Sequence, residues 1–385
     1  MTNTSIIGIG QTNVAEHWGT SLRHLAWYAI EAALDDAAIA SSAVDALFVG
    51  NMLAGTMSNQ RQLGALVADF AGMKGVEALV VEAAEASGAA ALRQAIFAVG
   101  SGQIATALVV GVEKTSDMTG ADADAALATT LDAEYEQIHG ITPAALAGML
   151  MQRYMHEYGA ELADFANFSV NAHANGGLNP SAMFRNRLKP ERFTQAPMLA
   201  TPVSLFDAAP VGDGAAAVIV TRTERAADLV PHPVQTTGSA IATDTLALHD
   251  RDDLLWLGAV AQSTQRAMTQ AQVTHDAIDL FELHDAFTIL ATLSLEAAGF
   301  AARGTGWQLA RDGVIGRNSP LPISTFGGLK ARGNPLGATG IYQIIEACQQ
   351  LRGTAGANQI ANAKIAMTQN LGGLGATAVT HILTI

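Results

Sequence analysis

One carboxylate, Glu85, stands where an apolar strand ending in Val80-Val81 turns into an Ala-rich helix opening at Ala86-Ser87-Gly88. Such a junction is where open α/β sheets hold their ligands. An apolar pocket would raise the pKa of a glutamate there, while a helix N-terminus and backbone donors would lower it. Ionised, it is a base. Three more loops follow strands and carry polar groups: His284-Asp285-Ala286-Phe287, Gly333-Asn334-Pro335 and Asn370-Leu371-Gly372-Gly373. Singly, each has a plain reading, since a His before Asp is usually structural and a Gly-X-Pro is usually a turn. Jointly they offer a base (Glu85) and oxyanion donors (His284, Asn334 and the glycines Gly372 and Gly373), which is what proton removal next to a carbonyl requires.

A second group of residues suits a phosphorylated ligand. Arg185, Arg187 and Lys189 lie close together, with His173 and Asn175 just upstream. Arg185 and Arg187 are two apart, a spacing that joins side chains on a strand or loop but not on one helix face. The alternative is a solvated charge cluster. Met151 and Met155, four apart, share a helix face and read as core or pocket lining. Asp207 and Asp213 flank a turn containing Pro210 and Gly212 and read as structural caps.

Composition narrows the classes. The chain has 385 residues, 49% of them apolar and 15% charged, so a large covered core is expected. The formal net charge of −14 argues against a general nucleic-acid surface. Cys348 is the only cysteine, which excludes an intramolecular disulfide and argues against a Cys-based metal site. It lies in an apolar helical pattern and reads as an inert core residue. Met1 to Ile7 lacks a basic, long-apolar leader, and no apolar run reaches membrane-spanning length, so a cytoplasmic protein without a membrane span is expected.

The elements that must position these loops form a degenerate duplication. Val44 to Gly50 and Ile278 to His284 are matching apolar strands, preceded by amphipathic helices from His24 to Ala37 and from Leu255 to Ala271. Each half then has a glycine-bearing helix, one opening at Ala86-Ser87-Gly88 and one at Gly337 to Gly340. Each closes with two apolar strands: Ile104 to Val112 with Ala215 to Thr221, and Lys364 to Gln369 with Ala376 to Leu383. This order predicts mixed sheets covered by helices. A more polar stretch with probable helices at Pro143 to Tyr158 and Ala163 to Ala174 interrupts the first half and reads as a lid or ligand-binding insertion, or else as a surface decoration.

The chain resembles the thiolase superfamily from end to end, most closely its sterol-carrier-protein and archaeal-type branch. The carrying motifs are Ala84-Glu85-Ala86-Ser87-Gly88, Gly111-Val112-Glu113-Lys114, Arg153-Tyr154-Met155-His156-Glu157-Tyr158-Gly159, Asn179-Pro180, Asp213-Gly214-Ala215-Ala216, His284-Asp285-Ala286-Phe287, Gly333-Asn334-Pro335-Leu336-Gly337-Ala338-Thr339-Gly340 and Gln369-Asn370-Leu371-Gly372-Gly373. The resemblance implies an α/β, five-layer αβαβα fold built from two duplicated halves. Its division would be 1–118 with 203–232 for the N-terminal half, 119–202 for an inserted loop domain, and 233–385 for the C-terminal half. It also implies coenzyme A as (co)substrate, with Arg185, Arg187, Lys189 and His173 beside it, and no tightly bound cofactor or metal. A homodimer or tetramer is implied, along with a possible zinc-ribbon/OB-fold partner protein.

In that family a cysteine takes the acyl group, activated by a His in a G-H-P turn. Here Glu85 stands at the cysteine's position, Asn334 replaces that His, Ala286 stands where relatives may place a cysteine base, and the C-terminal loop has none. The expectation is therefore an acyl-CoA enzyme that acts on a C–C bond, as acyltransferase or by retro-aldol or Claisen chemistry, without a covalent acyl-cysteine. The alternative is a non-catalytic CoA-binding or scaffold subunit.

Overall fold

The computed structural model describes residues 4–385; Met1 to Asn3, the start of the segment read above as lacking a leader, lie outside the described residues. The strands are β1 (Thr4–Gln11), β2 (Ala46–Gly50), β3 (Glu77–Val81), β4 (Thr106–Glu113), β5 (Met198–Ala200), β6 (Val203–Ser204), β7 (Gly214–Arg222), β8 (Val234–Thr243), β9 (Leu280–Glu282), β10 (Ile365–Gly372) and β11 (Thr377–Thr384). Nine of them form one hydrogen-bonded series, β3-β2-β4-β7-β1-β8-β11-β10-β9, with β5 and β6 paired separately.

That series is two similar blocks joined at their edges. β1 and β8 meet over only two residue pairs, Ser5 with Gln235 and Ile6 with Val234. On one side, β3, β2 and β4 run parallel, and β7 and β1 are antiparallel additions. On the other, β9 and β10 run parallel, and β11 and β8 are antiparallel. An isolated bridge between Phe281 and Ile323 takes the place that β3 has in the first block. Strands and helices thus repeat in the order predicted from the sequence.

Side-chain alternation along each strand builds the layers. On β4, Leu108 and Val110 pack with the Leu22–Ala37 helix on the outer face of the first block. Ala107 and Val109 point the other way, into a cluster with Leu92 and Ile96 of the Ser87–Ser101 helix and Ile341, Ile345 and Cys348 of the Thr339–Arg352 helix. The second block adds Leu280, Ala366 and Leu383 to this central layer, while Met367 and Ile382 face the opposite side, toward the Gly258–Ala271 and Thr288–Ala297 helices. Strands buried on both faces read as continuous apolar runs, as Ala107 to Val110 does. Cys348 is fully buried, and burial pushes its thiol up to about 12.

The inserted stretch is ordered by local signals. Its Pro143–Tyr158 helix begins at Thr142, whose hydroxyl accepts from the Ala145 N–H at 3.2 Å, with Pro143 at the first helical position. Gly159, at φ 67°, closes it. Met151 is buried in the core and Met155 packs against it. The next helix spans Ala166–Gly176, starting and ending later than the sequence pattern suggested. A 3-10 turn over Leu162–Phe165, with Asp164 accepting from the Glu161 N–H at 2.8 Å, takes up the first residues. Among the described residues no helix is long and apolar enough to cross a membrane.

Candidate active site

The two central helices bring the loops together because almost no side chain separates them. A Cβ on Gly88 would lie 2.9 Å from the Gly337 carbonyl oxygen, and one on Gly340 would lie 2.5 Å from the Ala89 nitrogen. The N-termini of the Ser87–Ser101 and Thr339–Arg352 helices therefore cross in backbone contact, which sets Glu85, just before the first, beside the turn carrying Asn334, just before the second.

Glu85 sits on a tight turn. Ala84 takes φ 51°, unusual for a residue with a Cβ. The Ser87 hydroxyl fastens the turn by donating to the Ala84 carbonyl at 2.5 Å and accepting from the Ala83 N–H at 2.9 Å. The carboxylate of Glu85 accepts the Gly373 N–H at 2.8 Å. A Cβ on Gly372 would lie 2.6 Å from the Ala83 carbonyl oxygen, so the glycine loop fits against this turn only without side chains. Glu85 keeps a partial opening to solvent. Loss of hydration nonetheless raises its pKa above 4.5, against the Gly373 N–H, and the neighbouring Glu82 charge adds to the rise. The result is a stronger base than a free glutamate, held by one backbone donor.

His284 follows β9 and is fully buried. Burial, aided by the Arg332 charge, lowers its pKa to about 3, so the ring is neutral. The Asn370 amide nitrogen donates to its Nδ1 at 2.9 Å, which leaves the proton on Nε2. That nitrogen is buried and has no hydrogen-bond partner among the described residues. A neutral imidazole with a free N–H is an oxyanion donor rather than a base.

Asn334 is anchored through its oxygen. Oδ1 accepts from the Leu336 N–H at 3.1 Å and the Thr339 hydroxyl at 2.7 Å, so the amide nitrogen is the end left for another group. Glu113 holds the same turn from below. Its carboxylate takes the Gly337 N–H at 3.1 Å together with the Met52 and Leu53 N–H groups and the Asn51 side chain. Gln343, one helical turn on, donates to the Leu283 carbonyl at 2.9 Å and the Gln369 carbonyl at 3.1 Å, tying the ends of β9 and β10. Hydrogen bonds thus join Glu85 to Gly373 and His284 to Asn370 on the same C-terminal loop, and the close approach of Gly88 to Gly337 sets the Asn334 turn alongside.

The cationic group lies along a slot of two adjoining cavities whose inner wall is hydrogen-bonded to these loops. Arg187, Lys189 and Arg192 line an outer cavity of 540 Å³. Arg187, Leu188, Leu205 and Phe206 are shared with an inner cavity of 420 Å³, which also meets His173 and Lys330. The inner wall, Ala208 to Pro210, is bonded directly to the site: the Ala209 N–H donates to the Ala286 carbonyl at 2.7 Å, and the Asn334 N–H donates to the Pro210 carbonyl at 2.8 Å. Arg185 is exposed on the same loop and lines neither cavity. His173 is buried, its Nδ1 3.1 Å from the Asn186 carbonyl, and burial lowers its pKa. A separate apolar hollow of 680 Å³, with Leu146, Met149, Leu248 and Leu254 among its walls, touches none of these residues.

Asp207 and Asp213 are structural, as the turn around them suggests. Asp207 accepts the Ser204 N–H and the Thr288 hydroxyl. Asp213 gathers donors from His17, Lys114, Thr115 and Ser116, which hold its pKa down at about 2 despite burial. Sequence reasoning placed Asn370 on a candidate loop without giving it a role, and missed Gln343 and Lys330. Lys330 left a faint signal, standing with Arg332 as one of two cations in the Gly327-to-Gly333 approach to Asn334. Gln343 is a helix-interior amide of a type usually exposed.

Comparison with known families gives the fold its place. A model described as thiolase, N-terminal domain, matches residues 4–198, and one described as thiolase C-terminal domain-like matches 240–385. The chain belongs to the thiolase superfamily. An acetyl-CoA acetyltransferase of Methanothermobacter thermautotrophicus is 40% identical to this thiolase relative over 384 residues, covering all of both chains. The Ltp2-ChsH2(DUF35) aldolase structure superposes with a TM-score of 0.87 at 26% identity, covering 100% of this chain and 98% of that one. Human mitochondrial 3-ketoacyl-CoA thiolase, at 17% identity and TM-score 0.77 over 99% of this chain and 98% of its own, shares the fold.

Proposed function

We propose that this thiolase-superfamily protein makes or breaks a carbon–carbon bond next to a CoA thioester without an acyl-cysteine, with Glu85 as general base. The observation that carries this reading is the Glu85 carboxylate, held by the Gly373 N–H at 2.8 Å at the start of the central helix. In the cleavage direction, Glu85 takes the proton of a β-hydroxyl group. The Cα–Cβ bond breaks, the β-carbon leaves as a carbonyl, and the electron pair becomes a thioester enolate. The enolate oxygen is received by His284 Nε2–H and the Asn334 amide, and protonated Glu85 returns the proton to the α-carbon. Condensation is the same path reversed. Gly372 and Gly373 keep the loop close enough for the N–H contact.

Coenzyme A would lie in the slot, its phosphates by Arg187 and Lys189 and its pantetheine arm along the inner cavity beside His173. Arg185, on the same loop, would add long-range attraction. The inserted stretch, 119–202, would serve as the CoA-binding loop domain between the two halves, 1–118 with 203–232 and 233–385.

Two partner readings accompany this. Edge strand β3 exposes Leu79 and Val80, and the adjoining helix exposes Phe97, which supports a homodimer through this edge. The Ltp2-ChsH2(DUF35) aldolase carries a DUF35 component by name, which supports a partner of that kind here.

The test is turnover of several β-hydroxyacyl-CoAs, acetyl-CoA and acetoacetyl-CoA plus CoA by the native chain, beside the Glu85→Cys/Asn334→His variant. Cleavage of a β-hydroxyacyl-CoA by the native chain is the expected result. Silence from the native chain, with thiolysis appearing in the double variant, would replace the reading with a CoA-binding scaffold subunit.

A further inference from the structure

Lys330 is the one cationic side chain lining the inner cavity, among the described residues, that neither the proposed reaction nor the cationic loop uses. It is 2% exposed, yet it forms part of the wall of a cavity otherwise built largely from Phe184, Leu199, Leu205, Phe206 and Pro210. A lysine is almost never fully buried without a partner. Here its ammonium donates to the Asp207 backbone carbonyl, and the charges of Asp207 and Asp285 offset part of the cost of burial. An ammonium carries three donors, and this single carbonyl takes one. Across the cavity stands His173, whose Nδ1 is occupied by the Asn186 carbonyl and whose ring packs between Phe184 and Phe206.

The chemistry of the cavity selects its occupant. Its aromatic and aliphatic walls suit an uncharged chain, and its buried donors suit an oxygen acceptor within that chain. Phosphates are better served outside, where Arg187, Lys189 and Arg192 are solvated and cost nothing to keep charged. A slender chain with apolar methylenes and amide carbonyls fits both demands. Resting on the CoA reading above, we propose that Lys330 is a specificity-determining residue that donates a hydrogen bond to an amide carbonyl of the pantetheine arm. It would make the site recognise the arm itself rather than only the nucleotide.

The experiment measures binding of CoA and of adenosine 3′,5′-bisphosphate, the nucleotide half without the arm, to the native full-length chain and to Lys330→Met and Lys330→Gln by calorimetry. A lost hydrogen bond to a charged donor weakens binding by about tenfold to a hundredfold. The expected result is that loss for CoA in Lys330→Met, a smaller loss in Lys330→Gln, which keeps a donor, and unchanged affinity for the bisphosphate in both. Lys330→Gln also answers the case in which Lys330→Met does not fold. Equal losses for the two ligands would make Lys330 a structural cation and overturn the proposal. So would unchanged CoA affinity in both variants. If the native chain binds neither ligand, the CoA reading itself falls, an outcome distinct from a native chain that binds CoA with no contribution from Lys330.

Discussion

Replacing Glu85 by Gln isolates the carboxylate's charge from its shape. The amide oxygen of Gln can accept the Gly373 N–H that Glu85 now holds at 2.8 Å, so the glycine loop keeps its place. What disappears is the base. General bases contribute on the order of 10² to 10⁴ in rate, or about 3–5 kcal/mol of barrier, so turnover should fall by at least a hundredfold with CoA affinity unchanged. Stability should move the other way. Burial raises the folded pKa of Glu85 above the 4.5 of a free glutamate, so the folded chain holds that proton more tightly than the unfolded chain. The native protein then loses stability as pH rises from about 4.5 through the folded pKa, and the variant lacks this loss. Urea unfolding at pH 5 and pH 8.5 should show the gap between variant and native shifting in the variant's favour at the higher pH. A gap that stays constant, together with turnover within threefold of native, would refute the assignment of Glu85 as a buried base.

Two other outcomes follow from the geometry. Asp213→Asn puts an amide NH₂ where an oxygen now accepts donors, and should cost about 3 kcal/mol or more by urea unfolding. The Asp213 pKa lies at about 2 against 3.8, so its share of native stability, about 2 kcal/mol, is fully present above pH 4 and is lost as pH falls through about 2; Asp213→Asn should flatten that acid limb. Arg187→Ala and Lys189→Ala should each weaken CoA binding several-fold and reduce its salt dependence, as expected of exposed cations meeting phosphates, while Arg185→Ala, which lines neither cavity, should change it less.

Much of this architecture was legible because apolar periodicity and helix punctuation report local physics directly. Thr142-Pro143 and Gly159 mark a helix whose ends fall at Pro143 and Tyr158. Strands buried on both faces announce themselves as runs such as Leu108 to Val110. The second half was blurred at β9, where hydrogen bonding shortens the expected Ile278-to-His284 strand to Leu280–Glu282. The continuous hydrogen-bond series from β3 to β9 was not legible, because the β1–β8 junction rests on two residue pairs far apart in sequence. At the candidate site, the order of the loops singled out Glu85, His284 and Asn334, although the Asn334 loop follows the short Gly328–Ala331 helix rather than a strand. Their hydrogen-bond partners were hidden. No local pattern reveals that Asn370 reaches the imidazole of His284, or that the Asn334 oxygen is already spent on Leu336 and Thr339. Lys330 was obscured for a different reason: its burial depends on Asp207 and Asp285, from other parts of the chain.

The backbone crossing at Gly88, Gly337 and Gly340 has a consequence for how this scaffold can change. The spacing between the two central helices is fixed by atoms that are missing, so it carries no information about the side chain at position 85. The side chain at position 85 can therefore be exchanged without disturbing the frame that aims it. A single methyl group added at Gly340, by contrast, would have to push the helices apart, since its carbon would lie 2.5 Å from the Ala89 nitrogen. The reactive group is the replaceable part of this molecule, and the empty space beside it is the part that cannot be filled.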